Sequence, residues 1–145
     1  MKLISHRGNL IGPNKDREND PLYVIDALSY GFDVEIDVWF VDGEFFLGHD
    51  EPTYEIEEIF LENDRLWCHS KNIESLEKML LNNKIHCFWH QEDDFTLTSK
   101  NIIWTFPTKI LKKNSVCVLP ERSNYSNEEI KNCFGVCSDY IQNYG

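Results

Sequence analysis

Ten residues form the clearest strand of the chain: Phe32-Asp33-Val34-Glu35-Ile36-Asp37-Val38-Trp39-Phe40-Val41. Side chains on a strand alternate between its two faces, so the aliphatic residues share one face and Glu35, Asp37 and Trp39 share the other. Carboxylates inside an apolar strand are costly unless they are paired or bind a metal ion. Oxygens at positions i and i+2 can reach one hard cation, so the pattern predicts a site for Mg²⁺ or Ca²⁺. The alternative is a half-buried strand whose polar face is solvated.

Short strands alternate with helices or loops on both sides of this stretch. Further strands are predicted at residues 2–5, 44–47, 66–70, 84–90, 102–105, 116–119 and 135–138. Helices are predicted at residues 21–30, 54–62 and 73–81, and a short last one begins at residue 126. Asp20 and Asn72 are the predicted N-caps of the first and third helices. The alternation predicts an α/β fold in one domain, residues 1–145: a compact, trimmed TIM-type (β/α) barrel with about seven parallel strands and several helices replaced by loops.

Composition limits the location and the partners of the protein. The net charge of −11 over 145 residues repels nucleic-acid backbones and anionic membranes. No apolar run approaches the roughly 20 residues of a membrane span, and the first residues become polar too soon for a signal peptide. The five cysteines are an odd number without a CxxC pair, which is typical of reduced core thiols. We therefore expect a cytoplasmic protein with no nucleic-acid partner and no integral membrane segment.

Two histidines follow strands at positions where catalytic groups occur in parallel barrels. His6 ends the first strand, and His49 follows the return strand 44–47. Two histidines beside a metal ion can share the proton transfers of phosphodiester cleavage near neutral pH. Arg7 and Lys71, which ends the strand 66–70, offer cations for a phosphate group. A single histidine at the end of a strand, or a lysine that begins a helix, is also compatible with a structural role.

Several motifs then extend the pattern over the first third of the chain. They are, in order, Ile4-Ser5-His6-Arg7-Gly8, Glu18-Asn19, Gly31-Phe32-Asp33-Val34-Glu35-Ile36-Asp37-Val38, Asp42-Gly43 and Gly48-His49-Asp50. In order and spacing this set resembles the glycerophosphodiester phosphodiesterase family. The segment 135–140 also resembles the last strand of that family.

The resemblance implies a TIM-type barrel and a role for each matched residue. His6 and His49 would be the acid and the base, and Glu35 and Asp37 would bind Mg²⁺ or Ca²⁺. The residues implied around the phosphate and the loop of the site are Arg7, Glu18 and Asn19, with Trp39 as a further support.

The chain departs from the family at two places. Where the family has Glu-x-Lys on its third strand, this sequence has His69-Ser70-Lys71. Lys71 keeps the implied phosphate role, whereas His69 replaces a metal-binding acid, and an imidazole favours transition metals such as Mn²⁺. The chain also lacks the family's small insertion after His49, as do the related sphingomyelinase D enzymes. In both relatives an internal hydroxyl can attack phosphorus, so a lyase that forms a cyclic phosphate stays open.

Three functional hypotheses follow. The first is a metal-dependent phosphodiesterase of lipid metabolism that acts on a glycerophosphodiester or lysophospholipid. The second is an inactive module that binds phosphate or a phosphodiester, and the third is a scaffold whose polar strand faces are structural. Two weaker site candidates are Glu121, as a replacement metal ligand, and Trp104, as an aromatic wall, although a loop or core role is favoured for both. A homodimer would cover open strand edges of a trimmed barrel.

Overall fold

The computed structural model describes all 145 residues and contains one ten-stranded sheet with four short helices. The strands are β1 (Lys2–His6), β2 (Asp33–Val41), β3 (Glu44–Leu47), β4 (Tyr54–Ile56), β5 (Leu66–Ser70), β6 (Cys87–Phe88), β7 (Phe95–Leu97), β8 (Ile103–Thr105), β9 (Ser115–Val118) and β10 (Gly135–Ser138). The helices are α1 (Pro21–Ser29), α2 (Glu58–Leu61), α3 (Ile73–Leu80) and α4 (Asn127–Lys131). Short 3₁₀ turns occupy Pro120–Arg122 and Ile141–Tyr144.

The sheet is mixed. Parallel pairs connect β6, β5, β2, β1, β10, β9 and β8 in that spatial order, while β3, β4 and β7 pair antiparallel with their neighbours. Strand β2 is long enough to pair with β1 and β5 through its first part and with β3 through its last residues. Strands β4 and β7 end the main path of the sheet, and β6 pairs only with β5. No strand ladder closes the sheet into a ring.

The predicted trimmed TIM-type barrel is therefore wrong. A (β/α) barrel needs a helix after each parallel strand, and its sheet closes on itself. Here β3, β4 and β7 run antiparallel to their neighbours, and the sheet curls into an open, mixed half-barrel. The chain has few helical residues. Only three of the parallel strands are followed by an α-helix: α1 follows β1, α3 follows β5 and α4 follows β9. Loops or antiparallel returns make the other connections.

One local prediction was also wrong. Residues 54–62 were expected to form one helix, but Tyr54–Ile56 pairs with β3, and only Glu58–Leu61 is helical. The alternation of Tyr54, Glu55 and Ile56 suits a strand, and a neighbouring strand with an open edge overrides helix propensity. After β6 the chain also forms a strand that was not predicted, β7, which pairs with β8.

The predicted helix starts are confirmed. The Asp20 side chain accepts a hydrogen bond from the Leu22 amide at the start of α1, with Pro21 as the first helical residue. The Asn72 side chain accepts from the Ser75 amide at the start of α3. Side-chain oxygens of Ser, Asp and Asn at this position satisfy amides that have no partner within the helix.

Apolar side chains pack on both faces of the curled sheet. On the outer face, Val34, Ile36 and Val38 of β2 pack in one cluster with Val24 of α1 and Met79 of α3. This arrangement confirms the predicted alternation along β2. The inner face of the curl is filled by a second cluster, which contains Ile4, Trp67, Phe88, Trp104, Val118 and Cys137.

All five cysteines are free and buried, which agrees with the prediction of reduced core thiols. No helix combines the length and the apolar character that crossing a membrane requires. The cytoplasmic location and the homodimer stay predictions.

Candidate metal centre

Strands β2 and β5 bring three potential metal ligands together. In their parallel register Asp37 lies opposite His69, and Glu35 lies two residues earlier on the same face of β2. His69 Nδ1 is 3.3 Å from Asp37 Oδ1 and 3.6 Å from Glu35 Oε1. One ligand atom from each of the three residues lies within 4.8 Å of the others. The three predicted metal ligands thus converge on one point at the inner face of the sheet.

Two buried carboxylate oxygens at this point have no hydrogen-bond partner. They are Glu35 Oε2 and Asp37 Oδ1. The short distance from Asp37 Oδ1 to His69 Nδ1 is therefore an electrostatic contact and not a well-aligned hydrogen bond. Unsatisfied buried acceptors are rare in folded proteins because desolvating them is costly. Carboxylates with free acceptor capacity fit a divalent cation, and the donor set of two carboxylates and one imidazole suits this role.

A backbone carbonyl fixes the orientation of His69. Its Nε2–H donates to the carbonyl oxygen of His90 over 2.6 Å, so Nδ1 faces the two carboxylates. Metal-binding histidines commonly use their second nitrogen in this way. Burial lowers the pKa of His69, but the contacts with Asp37 and Glu35 outweigh burial and raise that pKa to about 9. Without a metal ion, the imidazolium ring balances part of the carboxylate charge.

Asp37 is held from the opposite side by Asn19 and Arg7. Asn19 Nδ2 donates to Asp37 Oδ2 at 2.9 Å, and Asn19 Oδ1 accepts from the Asp37 amide at 2.9 Å. Arg7 Nε lies 3.1 Å from the same carboxylate oxygen. Burial alone would raise the pKa of Asp37, but the contacts with His49, His69 and Arg7 hold it well below its usual value. Asp37 is therefore ionised and fixed, as a metal ligand requires.

His6 forms a dyad with Asp139. Its Nδ1 lies 2.7 Å from Asp139 Oδ1, an oxygen that also accepts a hydrogen bond from Asn9 Nδ2 at 2.8 Å. Burial raises the pKa of Asp139, but hydrogen bonds from His6 and Asn9 lower it below its usual value. The ionised carboxylate accepts a hydrogen bond from the Nδ1–H group. The other ring nitrogen, Nε2, then faces Glu35 Oε2 at 3.7 Å. A carboxylate behind a histidine fixes its tautomer in this manner.

His49 lies at the rim of the site, with 42% of its side chain exposed. Its Nδ1 is 3.5 Å from Asp37 Oδ2, and its Nε2 is 3.5 Å from Arg7 Nη2. Trp39 Nε1 donates to the Gly48 carbonyl at 2.7 Å, which anchors the loop that follows β3. A side chain at Gly48 would collide with the Glu51 carbonyl, so the tight path of this loop requires glycine.

A polar cleft of about 610 Å³ opens beside His6 and His49, whereas Glu35, Asp37 and His69 are not among its lining residues. It is lined by residues that include His6, Arg7, Glu18, His49 and two cations that the sequence analysis did not predict, Lys15 and Arg122. The two predicted catalytic histidines therefore border one cavity. Glu18 accepts hydrogen bonds from Arg7 Nη1 at 3.2 Å and from Asn9 Nδ2 at 3.0 Å, which connects the loop before α1 to the residues that follow β1.

Three predicted residues lie elsewhere. Lys71 follows β5 as expected, but it does not line the cleft. Glu121 accepts hydrogen bonds from the Asp139 amide and from Ser138 Oγ at 3.0 Å each, so it supports the end of β10 and is not a metal ligand. Trp104 is buried in the inner cluster, where its ring packs 4.6 Å from that of Phe88, and it belongs to the core.

Sequence reasoning missed Asp139, Asn9 and the supporting carbonyl of His90. A signal for Asp139 was present, because it directly follows the last strand and parallel strands end at the same edge of a sheet. Strand β10 pairs with β1, which ends at His6, and this pairing brings the two side chains together. Asn9 and the His90 carbonyl had no comparable signal.

We compared the chain with family models, curated proteins and solved structures, and no match was found in any of the three comparisons.

Proposed function

We propose that this protein is a metal-dependent phosphodiesterase that cleaves a small phosphodiester of the glycerophosphodiester or lysophospholipid class. One observation supports this most. Ligand atoms of Glu35, Asp37 and His69 lie within 4.8 Å of one another, next to the His6 ring, and one carboxylate oxygen each of Glu35 and Asp37 has no hydrogen-bond partner. Phosphodiester cleavage needs positive charge at the phosphate and two proton transfers, which the proposed ion and the two histidines of the adjoining cleft would supply.

In this proposal Glu35, Asp37 and His69 hold one divalent cation. The bound ion supplies Lewis-acid stabilisation of the charge that develops on the phosphate oxygens. Two carboxylates favour Mg²⁺ or Ca²⁺, whereas the imidazole nitrogen shifts the preference towards Mn²⁺. Arg7 already contacts Glu18 and Asp37, so it serves mainly to position the carboxylates.

The proton transfers fall to His6 and His49. Asp139 accepts a hydrogen bond from the Nδ1–H group of His6. This leaves His6 Nε2 free to act as the base for the attacking hydroxyl. His49, on the other side of the cleft, gives a proton to the leaving oxygen. When a hydroxyl of the substrate attacks, its bond to phosphorus forms as the bond to the leaving oxygen breaks, and the product is a cyclic phosphate. When water attacks, the product is a phosphomonoester.

The test is cleavage of a chromogenic diester, glycerophosphodiesters and lysophospholipids with Mn²⁺, Mg²⁺, Ca²⁺ or a chelator. We expect metal-dependent turnover that falls by about 10²- to 10⁴-fold in His6→Ala and in His49→Ala, the usual contribution of a general acid or base. His86→Gln, a buried histidine outside the cleft, is the matched control and should keep its rate. Phosphorus NMR separates the cyclic from the open product. Turnover that survives the chelator, or both alanine variants, would contradict the proposal.

A phosphate-binding module without turnover is the second candidate, and one observation favours it. The protonated His69 ring already lies between the two carboxylates, so it can take the place of a metal ion. In that case the folded protein binds phosphate or a diester but cleaves nothing with any metal. His69→Glu distinguishes the two candidates, because a third carboxylate removes the competing positive charge. Metal-dependent turnover gained only in this variant would favour the binding module for the natural chain.

A further inference from the structure

A second cavity, of about 440 Å³, lies on the outer face of the sheet at β7, β8 and β9. None of its lining residues lines the polar cleft. Trp104 packs in the inner cluster, so its neighbour Ile103 faces outwards, and Leu97 is paired with Ile103 in the ladder between β7 and β8. The connection from β8 to β9 contains no helix that would cover this face. We call this cavity the outer groove.

Apolar side chains form most of the outer groove. They are Phe95, Leu97, Ile103 and Ile110. Three of them are strongly exposed, at 44% for Phe95, 61% for Leu97 and 63% for Ile110. Apolar groups gathered in an exposed concave surface commonly mark a binding site, because covering them removes apolar area from water.

One polar group in the outer groove is available to a ligand. The Thr96 hydroxyl donates to the Trp89 carbonyl, and the Ser115 hydroxyl accepts from the Lys112 amide. The ammonium group of Lys112 forms no salt bridge and no hydrogen bond. Residues 95–114 contain four lysines and no acidic residue, although the chain as a whole has a net charge of −11. Lys109 is paired with Asp94, which directly precedes the segment, so the groove is apolar inside and Lys112 is the cation that it offers to a ligand.

We propose that the outer groove binds the alkyl chain of a single-chain anionic amphiphile, such as a fatty-acid carboxylate, with its head group at Lys112. The volume lies within the range of small-molecule pockets, which are mostly apolar with few polar groups that orient the ligand. A second copy of the chain would bring a further net charge of −11 to this surface, whereas a single-chain amphiphile brings one negative charge, which Lys112 can neutralise. This site does not depend on the proposed phosphodiesterase activity.

The test is calorimetric titration of the full chain with decanoate, decyltrimethylammonium and uncharged decyl maltoside, each below its micelle concentration and with a chelator present. Decanoate should bind at least about tenfold more tightly than the cationic probe, the factor expected from one additional charge contact. Leu97→Asn should weaken decanoate binding by about tenfold or more, because it removes an apolar wall. Lys112→Ala should remove the preference for the anionic head group.

Matched controls are Leu81→Asn and Lys84→Ala, which change an exposed leucine and an exposed lysine away from the groove. Both should bind decanoate as the unaltered chain does. The proposal is overturned by folded protein that does not bind decanoate, by equal affinity for the anionic and cationic probes, or by binding that Leu97→Asn leaves unchanged. Sedimentation that shows a dimer dissociated by Leu97→Asn would also overturn it, because a second copy would then occupy the groove.

Discussion

The two halves of the curled sheet use their inner faces differently. At the ends of β1, β2 and β5 the inner face presents the polar groups His6, Glu35, Asp37 and His69, and α1 and α3 cover the outer face. Along β6, β8 and β9 the inner face presents aromatic and aliphatic groups, and the outer face has no such cover at β8. The helix-covered half holds the candidate metal centre, and the other half fills the interior with apolar side chains.

This division has a physical basis. Unpaired carboxylates need a rigid support, because any movement that lets water in reduces their ability to attract a cation. Strands that pair on both sides and pack under helices provide that rigidity. The apolar half needs no such precision, since hydrophobic packing is not directional. A short chain can therefore omit helices from one half and keep the site in the other.

The largest expected effect comes from removing the apolar filling of the interior. Trp104 is buried against Phe88 and Trp67, with ring centres at 4.6 and 5.8 Å. Trp104→Ala should lower the free energy of unfolding by about 3–5 kcal/mol, as large-to-small changes in a core do. Urea denaturation measures it, with exposed Ile110→Ala as the control, which should change stability by less than about 0.5 kcal/mol. A loss below about 1 kcal/mol in Trp104→Ala would mean that the apolar half is not part of the cooperative core.

The second-largest expected effect is the stabilisation of the fold by a metal ion bound in the polar half of the sheet. At a Mn²⁺ concentration of about 100 times its Kd, the free energy of unfolding should rise by about 2.7 kcal/mol. His69→Ala removes the nitrogen ligand and should abolish most of this increase, while His86→Gln should keep it. The measurement is urea denaturation with and without Mn²⁺. An equal increase in His69→Ala would show that the ion binds elsewhere.

His86, which lies between the two halves of the sheet, should make the free energy of unfolding depend on pH. Its ring packs on Trp67, and its Nε2 lies 2.7 Å from Thr98 Oγ1. That oxygen already accepts from the Ile102 amide, so the hydroxyl proton points to a neutral His86. Burial, with a smaller contribution from the charge of Lys100, lowers the pKa of His86 from 6.5 to about 4.

The sign of the effect follows from proton uptake. Below pH 6.5 the unfolded chain protonates His86, whereas the folded chain does so only near pH 4. The contribution of His86 to the free energy of unfolding therefore keeps its full value above pH 6.5. It falls by about 2 kcal/mol as the pH falls towards 4, once solvent screening is allowed for. Thermal melts across this range measure it, and His86→Gln should show the weaker pH dependence. Parallel curves for the two proteins would rule out His86 as the cause.

The smallest expected effect is the difference in the free energy of unfolding between variants of two helix caps, one in each half. Ser126 caps α4 in a capping box with Glu129, and Ser126→Ala should cost about 1 kcal/mol. Asn72 caps α3 but also exchanges hydrogen bonds with the Phe40 amide and carbonyl of β2. Asn72→Ala should therefore cost more than Ser126→Ala, by about 1 kcal/mol for the added bonds. Urea denaturation compares the two variants, and equal losses would mean that the link from Asn72 to β2 contributes nothing.

Much of the site was predictable because it depends on local patterns. The period of two along β2 correctly separated Glu35 and Asp37 from the aliphatic face. Turn and cap residues correctly placed the starts of α1 and α3. Asp139 was missed because its role depends on β10 lying beside β1, a contact between residues more than 130 positions apart.

By itself the sequence determined which side chains share a face of β2, where α1 and α3 begin, and that both histidines lie at or just after the ends of strands. These features depend on neighbours in the chain, and short-range geometry is the same in any fold. The tertiary structure alone decided that β4 and β7 are strands, that the sheet stays open and mixed, and that Asp139 lies behind His6. Strand pairing joins distant segments, and which segments pair depends on the packing of the whole chain and not on local propensity.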